Sequence, residues 1–484
     1  MSTAATCRRK LRILLGGLLL LSGWLLALGL VVFPPGEPLA VGSAGRSAGD
    51  ARFKELLAGM AADPTLAGAA VGFCLLDVDG TVMVASPLAA TALAPASSLK
   101  TLSSAAAIEL FTPQFQFETR VVGGRLDNDG VLYGDLMLVG GGDPTLTTED
   151  LEALAAAVQA AGVKRIEGRV GVDRSFFPVN PLSDHWNWGD VGNGYGAGAY
   201  GLNLDHNRLV VRFSPADTAG APAAIAQALA VPAGLNWINE VVTGPVASGD
   251  QVVAYSEPYG SRITLRGSVP LGEPGFQVQV ANPNPPDTAR DVFTAALRHR
   301  GIAASGVPAD HPAGQLGVLA RHFSAPLSEI VPHLHRVSDN LEAQCLFLLL
   351  GKHAGMTPSD ALTDFWQRRG VAFAGLRILD GSGLARANMI RPLDLAAANH
   401  RAAHARFGQL FQQSLTSSDE GRVRSKIGAM SGVRTEVGFV YLGDGRFRTF
   451  ALMANGLAPR AGLAPRAGLA PHRAALLALA AHAP

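Results

Sequence analysis

The stretch that most constrains this chain runs from Ala94 to Phe111 and reads APASSLKTLSSAAAIELF. Pro95 discourages helix upstream of it, and the alanine-rich apolar run that follows favours helix. Ser97 stands three residues before Lys100 at the helix start, and residues three apart share a face. Hydroxyl and ammonium are therefore expected side by side, where free backbone N–H groups favour developing negative charge. A serine needs a base to attack a carbonyl, and a lysine held in a dry pocket loses enough pKa to serve. An exposed lysine on a capped helix would give the same spacing, so partners further along must decide. Lysine is scarce, with 6 against 34 arginines, which makes each one worth locating.

The 484 residues are enough for two or three domains, and 48% are hydrophobic, so a large core is available. A net charge of +1 gives no electrostatic reason to expect a nucleic-acid partner. Three cysteines make no disulfide framework; Cys74 and Cys345 read as buried free thiols rather than a bridge. Arg8, Arg9, Lys10 and Arg12 precede an apolar run over residues 13–33. Positive charge before such a run is an export signal, and this one is long enough to span the inner membrane as an anchor. Gly42-Ser43-Ala44 offers a cleavage site if the signal is removed. Either way the remainder is extracytoplasmic, in the periplasm, with the basic end inside.

Along the chain, residues 34–49 read as a Pro/Gly/Ala/Ser linker and Asp50 to Ala62 as a helix. Two apolar runs around Asp79-Gly80 signal a hairpin. After the Ser97 helix, alternating apolar residues from Phe115 to Gly140 suggest strands. The glycine-rich loop at Gly194 to Gly198 opens no helix and is no nucleotide fingerprint. Asp287 to Arg300 reads as a helix leading back to a core, and Ser338-Asp339-Asn340 falls at a helix start. Two strands flank Gly443-Asp444-Gly445, and a hexapeptide repeat over 456–471 reads as a loop expansion before a last helix. His400 and His404 are four apart but lack a third metal ligand, so they read as solvated helix residues.

Three features stand in order: Ser97-x-x-Lys100, Ser338-Asp339-Asn340, and Lys426-Ile427-Gly428 before a strand pair. This order resembles the S-x-x-K, S-x-N, K-T-G set of penicillin-binding serine acyl-transferases. The long step from Ser97 to Ser338, with GGGDPTL at 140–146, YGAGAYGLNLDHNRLVV at 195–211 and DGSGLARAN at 380–388, is similar to the low-molecular-mass class C penicillin-binding proteins, the D-alanyl-D-alanine carboxypeptidase/endopeptidase family. The resemblance implies an α/β fold, a transpeptidase domain of the serine β-lactamase type with helices on a mainly antiparallel sheet, interrupted by inserted β-rich domains. It divides the chain into a signal anchor or signal peptide (1–33), a linker (34–49), catalytic segments at 50–112 and 285–484, and inserted domains at 113–284.

The resemblance also implies roles. Ser97 is the nucleophile toward peptidoglycan stem peptides, open to covalent β-lactam binding, and Lys100 is its base. Ser338 relays the proton to the leaving amine, Asn340 holds the substrate amide and Lys100, and Lys426 supplies positive charge. The backbone N–H groups of Ser97 and Ala429, beside Gly428, form the oxyanion hole. No metal or organic cofactor is implied. One departure matters: the third motif, usually Lys-Thr-Gly followed by Thr or Ser, is Lys426-Ile427-Gly428-Ala429. Two hydroxyls expected to bind the substrate's terminal carboxylate are missing, which implies lowered activity. The alternatives are an impaired homologue that binds peptidoglycan or envelope partners, and a serine β-lactamase or esterase, against which the long insertion argues.

Overall fold

The computed structural model describes residues 48–482 apart from 178–179, 230–233, 308–316 and 459–467. The apolar run at 13–33, nearly all of the linker and most of the hexapeptide repeat lie outside the described residues. Among the described residues no helix is long and apolar enough to cross a membrane.

The organising element is a six-stranded sheet built from both ends of the chain. Its strands are β1 (Ala70–Leu76), β2 (Val82–Ala85), β3 (Thr416–Ser418), β4 (Val423–Met430), β5 (Val433–Tyr441) and β6 (Phe447–Asn455), in the order β3-β4-β5-β6-β1-β2. Every neighbouring pair is antiparallel. Side chains alternate across a strand, so each strand supplies two cores. Cys74, Leu76, Val437, Phe439, Ala451 and Met453 pack inward, against α2 (Lys100–Phe111) and α5 (Pro392–Ala403). Phe73, Leu75, Val440, Phe450 and Leu452 pack outward, against α1 (Ala48–Ala62) and α6 (Leu469–His482). Fully burying side chains of this size contributes roughly 1.5–3 kcal/mol each, which makes the sheet a rigid base for whatever its edge carries.

Two further helices complete the inner layer. Helix α3 (Leu327–Val337) stops where Ser338 takes a left-handed conformation, and α4 (Asn340–Ala354) starts at once with Asp339 as its cap, accepting from the Glu342 N–H at 3.0 Å. A capping aspartate at this position is worth about 1 kcal/mol. Cys74 and Cys345 are free and buried, as their setting in apolar runs suggested.

Between the sheet's two halves lies a β-rich insertion in two parts. One combines four-stranded sheets with the helices Thr148–Ala160 and Pro285–His299 around Val121, Leu138, Leu154 and Phe293. The other packs two three-stranded sheets, over 208–281, around Val211, Phe213, Ile263 and Val280. The helix Pro285–His299 corrects an expectation. Expected to open the catalytic segment 285–484, it buries Ala289, Phe293 and Leu297 in the insertion's core. Strand Gly317–Phe323 then pairs with Glu118–Gly123, so it too belongs to the inserted sheets. One of the two histidines differs too: His404 is exposed, but His400 is buried, 3.1 Å from Thr449 Oγ1, because the small neighbours Ala397 and Ala398 bring α5 close to the sheet.

Candidate active site

Ser97 lies in a 3₁₀ turn, Ala96–Leu99, that runs straight into α2. Ala96 before it has φ of +47°, a strained value for a residue with a Cβ, and such strain persists only where the surroundings enforce it. Here the enforcing partner is Gly383, where a Cβ would stand 1.9 Å from the Ala96 carbonyl oxygen. Lys100 is fully buried and its ammonium donates three hydrogen bonds: to Ser97 Oγ at 2.8 Å, Asn340 Oδ1 at 2.6 Å and the Ser382 carbonyl at 2.7 Å. All three donors of a lysine are thereby used. Burial pulls this lysine down to about 7, the nearby Lys426 charge adds to the shift, and Asp380 and Asp339 oppose it. A lysine poised there exists in part as the free amine at neutral pH and can accept the serine's proton.

The facing wall carries Ser338 and Asn340 from the α3–α4 junction. Asn340 bridges, accepting from Lys100 and donating through Nδ2 to the Tyr195 carbonyl at 2.7 Å. Lys426, from β4, donates to Ser338 Oγ at 2.9 Å, and burial pulls it down to about 8. The five side chains singled out in the sequence thus meet in one cleft, two lysines each on one serine, with Asn340 between the walls.

Beyond Ser425, the last residue paired with β3, strand β4 is a sheet edge that passes the Ser97 turn. A Cβ at Gly428 would lie 2.9 Å from Ser97 N and 2.7 Å from the Pro95 carbonyl, so only glycine admits this approach. Thr435 and Ser98 lock the approach from below: the Thr435 hydroxyl contacts the Pro95 carbonyl at 2.5 Å and Ser98 Oγ at 2.7 Å. Ile427 and Ala429 point to the other side of the strand, and Ile427 is 54% exposed. Ser425 does not replace a missing hydroxyl, because its Oγ donates to Glu436 Oε1 at 2.7 Å.

Sequence reasoning missed two supports. Asp380 is buried and accepts from Trp186 Nε1, Ser382 Oγ, Asn388 Nδ2 and the N–H groups of Gly383 and Ala385, at 2.5–3.2 Å. That network fixes the turn whose Ser382 carbonyl holds Lys100. The other support is the Tyr195 carbonyl, delivered by the glycine-rich loop. Its signal was present in the glycines: a Cβ at Gly196 would lie 2.0 Å from the Asp190 carbonyl oxygen. A cleft of about 760 Å³ opens from Ser338 and Asn340 toward Tyr195 and the insertion's Gln251 and Gln279.

Comparison with known proteins gives the family. The D-alanyl-D-alanine carboxypeptidase of an Actinomadura species is 31% identical over 432 residues, 81% of this chain and 79% of that protein. The D-alanyl-D-alanine carboxypeptidase DacB of Haemophilus influenzae is 26% identical over 425 residues, 80% of this chain and 86% of that one. In fold, the crystal structure of penicillin binding protein 4 (dacB) from H. influenzae matches with a TM-score of 0.75 at 22% identity, over 87% of this chain and 98% of its own. The same protein complexed with a β-lactam matches with a TM-score of 0.73. With the model of the D-Ala-D-Ala carboxypeptidase 3 (S13) family matching residues 53–476, and a relative at 31% identity over most of both chains, the chain belongs to that family of serine peptidases.

Proposed function

We propose that this chain is a serine D,D-peptidase of the cell wall, cleaving the D-Ala-D-Ala bond, or the D-Ala-diamino acid crosslink, of peptidoglycan stem peptides through an acyl-enzyme. The observation that carries this reading is the 2.8 Å contact from Lys100 Nζ to Ser97 Oγ, on a buried lysine brought down to about 7. Lys100 takes the Ser97 proton as Oγ attacks the carbonyl carbon. The tetrahedral oxygen is held by the backbone N–H groups of Ser97 and Ala429, which Gly428 lets come close; such donors are worth roughly 3–4 kcal/mol of barrier. The C–N bond breaks as Ser338, held by Lys426, passes its proton to the departing amine and takes in exchange the one Lys100 had accepted, which returns Lys100 to the free amine. Water then cleaves the ester, with Lys100 again as base. Asn340 orients the substrate amide. Penicillin enters by the same attack on its lactam carbonyl.

The catalytic unit on this reading comprises residues 50–112 and the chain after about 324, with an insertion between. The protein acts outside the cytoplasm, held to the inner membrane through residues 13–33 unless the signal is cleaved. Ile427 and Ala429 bring no hydroxyl to the substrate carboxylate and lower turnover of D-Ala-D-Ala. A homologue that binds peptidoglycan without turnover is the rival reading, supported by those two residues alone.

Acylation by a fluorescent penicillin, with mass spectrometry to locate the adduct, separates the two. A stable adduct on Ser97, absent in Ser97→Ala, followed by release of D-alanine from a stem peptide, is the expected result. Folded protein that takes no label at high drug concentration favours the rival.

A further inference from the structure

We propose that His206, Asp339 and Glu342 form a binding site for one divalent transition cation, zinc by its donor set, directly behind the Ser338–Asn340 loop. Each offers one ligand atom, and the three atoms lie within 4.8 Å of one another. Donors bound at about 2 Å in a tetrahedron stand roughly 3.3 Å apart, so small side-chain adjustments close the site.

What points to a ligand is an unused buried oxygen. Glu342 is 0% exposed; its Oε1 lies 2.7 Å from His333 Nδ1, while Oε2 has no hydrogen-bond partner among the described residues. Buried carboxylate oxygens are almost always satisfied, and each exception asks for an explanation. Among the described residues His206 Nδ1 is likewise buried without a hydrogen-bond partner, its contact with Asp339 Oδ2 being an ion-pair approach at 3.4 Å. Asp205, His206 and Asn207 all have positive φ, 49°, 53° and 55°, so the backbone is held in an unfavourable turn that delivers this histidine.

The chemistry selects the ion. One imidazole and two carboxylates suit zinc or its neighbours, whereas calcium would ask for six or more oxygens. His333, bonded to the other oxygen of Glu342, is the outer partner that orients a ligating carboxylate. Arg208 already bonds Asp339 Oδ2 at 2.7 Å. A carboxylate has room for about four partners, so arginine and cation share it, with the arginine weakening the affinity. The ion enters through the cleft, which Arg208 and Asp339 line, and the 29% exposure of the His206 side chain leaves a position for water. Because Asp339 caps α4 between Ser338 and Asn340, a bound cation would hold both wall residues in register. Its role is positioning, and no step of the acyl transfer runs through it.

The test is equilibrium dialysis of the chelator-stripped full chain against zinc chloride, with the visible spectrum of the cobalt(II) form reporting coordination. One zinc per chain and a tetrahedral cobalt spectrum are expected. His206→Ala, a change in a half-buried turn outside the hydrophobic cores, should abolish both, as should Glu342→Gln, and His333→Ala should weaken binding about tenfold or more. Folded wild-type protein that retains no zinc, or a His206→Ala protein that binds it as well as wild type, overturns the proposal. Penicillin labelling of the same stripped sample is a separate readout, so failure here is distinguishable from failure of the peptidase reading.

Discussion

The two faces of β4 differ sharply. On the inner face, Lys426 is buried and bonded to Ser338, and Gly428 lets the strand close on the Ser97 turn. On the outer face, Ser425 is tied to Glu436, itself paired with Arg473 of α6, while Ile427 lines a small apolar pocket of about 170 Å³ with Leu452 and Leu469. Strand alternation separates the two faces completely. The third motif departs from the family pattern at Ile427 and Ala429, both outward, and keeps it at Lys426 and Gly428, both inward. Within one eight-residue strand, the residues that contact the Ser97 and Ser338 machinery keep the family pattern, and the two that depart from it lie on the opposite face. Making and breaking the ester should therefore survive, while recognition of the leaving group suffers.

The sharpest way to break that contrast is on the inner side. Lys100→Met keeps the volume of the buried side chain but removes the base. General-base assistance is worth about 10²–10⁴-fold, so the rate of penicillin acylation should fall by that order. Asn340 Oδ1 and the Ser382 carbonyl lose their donor, at about 1–3 kcal/mol for each left unsatisfied, so the melting temperature should fall while the fold is checked by circular dichroism. A labelling rate within about threefold of wild type, measured by stopped-flow with fluorescent penicillin, would remove Lys100 from the chemistry.

Much of this was legible because local rules and global fold agree. Proline, serine and an alanine run announce the α2 start; Ser338-Asp339-Asn340 announces a capped helix; apolar runs on either side of Gly443-Asp444-Gly445 announce β5 and β6. What was not legible came through backbone groups and distant packing. The Ser382 and Tyr195 carbonyls that hold Lys100 and Asn340 carry no side-chain signature, and their placement depends on Asp380 and on close glycine contacts. The helix Pro285–His299 has an apolar face that fits either core, so sequence alone could not assign it. Asp339 sat in plain view, but its partners His206 and Arg208 lie more than a hundred residues earlier.

On the outer side the expected effect is smaller and of opposite sign. Ile427→Thr restores one hydroxyl toward the substrate carboxylate. A hydrogen bond to a charged group contributes about 1.5–3 kcal/mol, so D-alanine release from a stem peptide should rise roughly tenfold to a hundredfold in kcat/KM. Adding Ala429→Thr should raise it further. Because neither side chain packs in a core, the melting temperature should hardly move. If Ile427→Thr leaves kcat/KM unchanged, the missing hydroxyl is not what limits recognition, and the contrast between the two faces loses its functional meaning.

The finest test sets the two lysines against each other. Lys100 must be the free amine to accept a proton, and burial with help from Lys426 brings it to about 7. Lys426 serves as a cation, and burial brings it to about 8. Acylation kcat/KM should then rise with pH as Lys100 loses its proton and fall as Lys426 loses its own. The two limbs belong to the coupled pair rather than to either residue. Lys426→Met distinguishes this from any profile set by a single group. Removing the positive charge relieves the repulsion that lowers Lys100, so the rising limb should move to higher pH and the falling limb should disappear, even as the rate drops. A variant profile that keeps both limbs in place would mean that neither lysine governs the proton transfers, whatever their distances to Ser97 and Ser338.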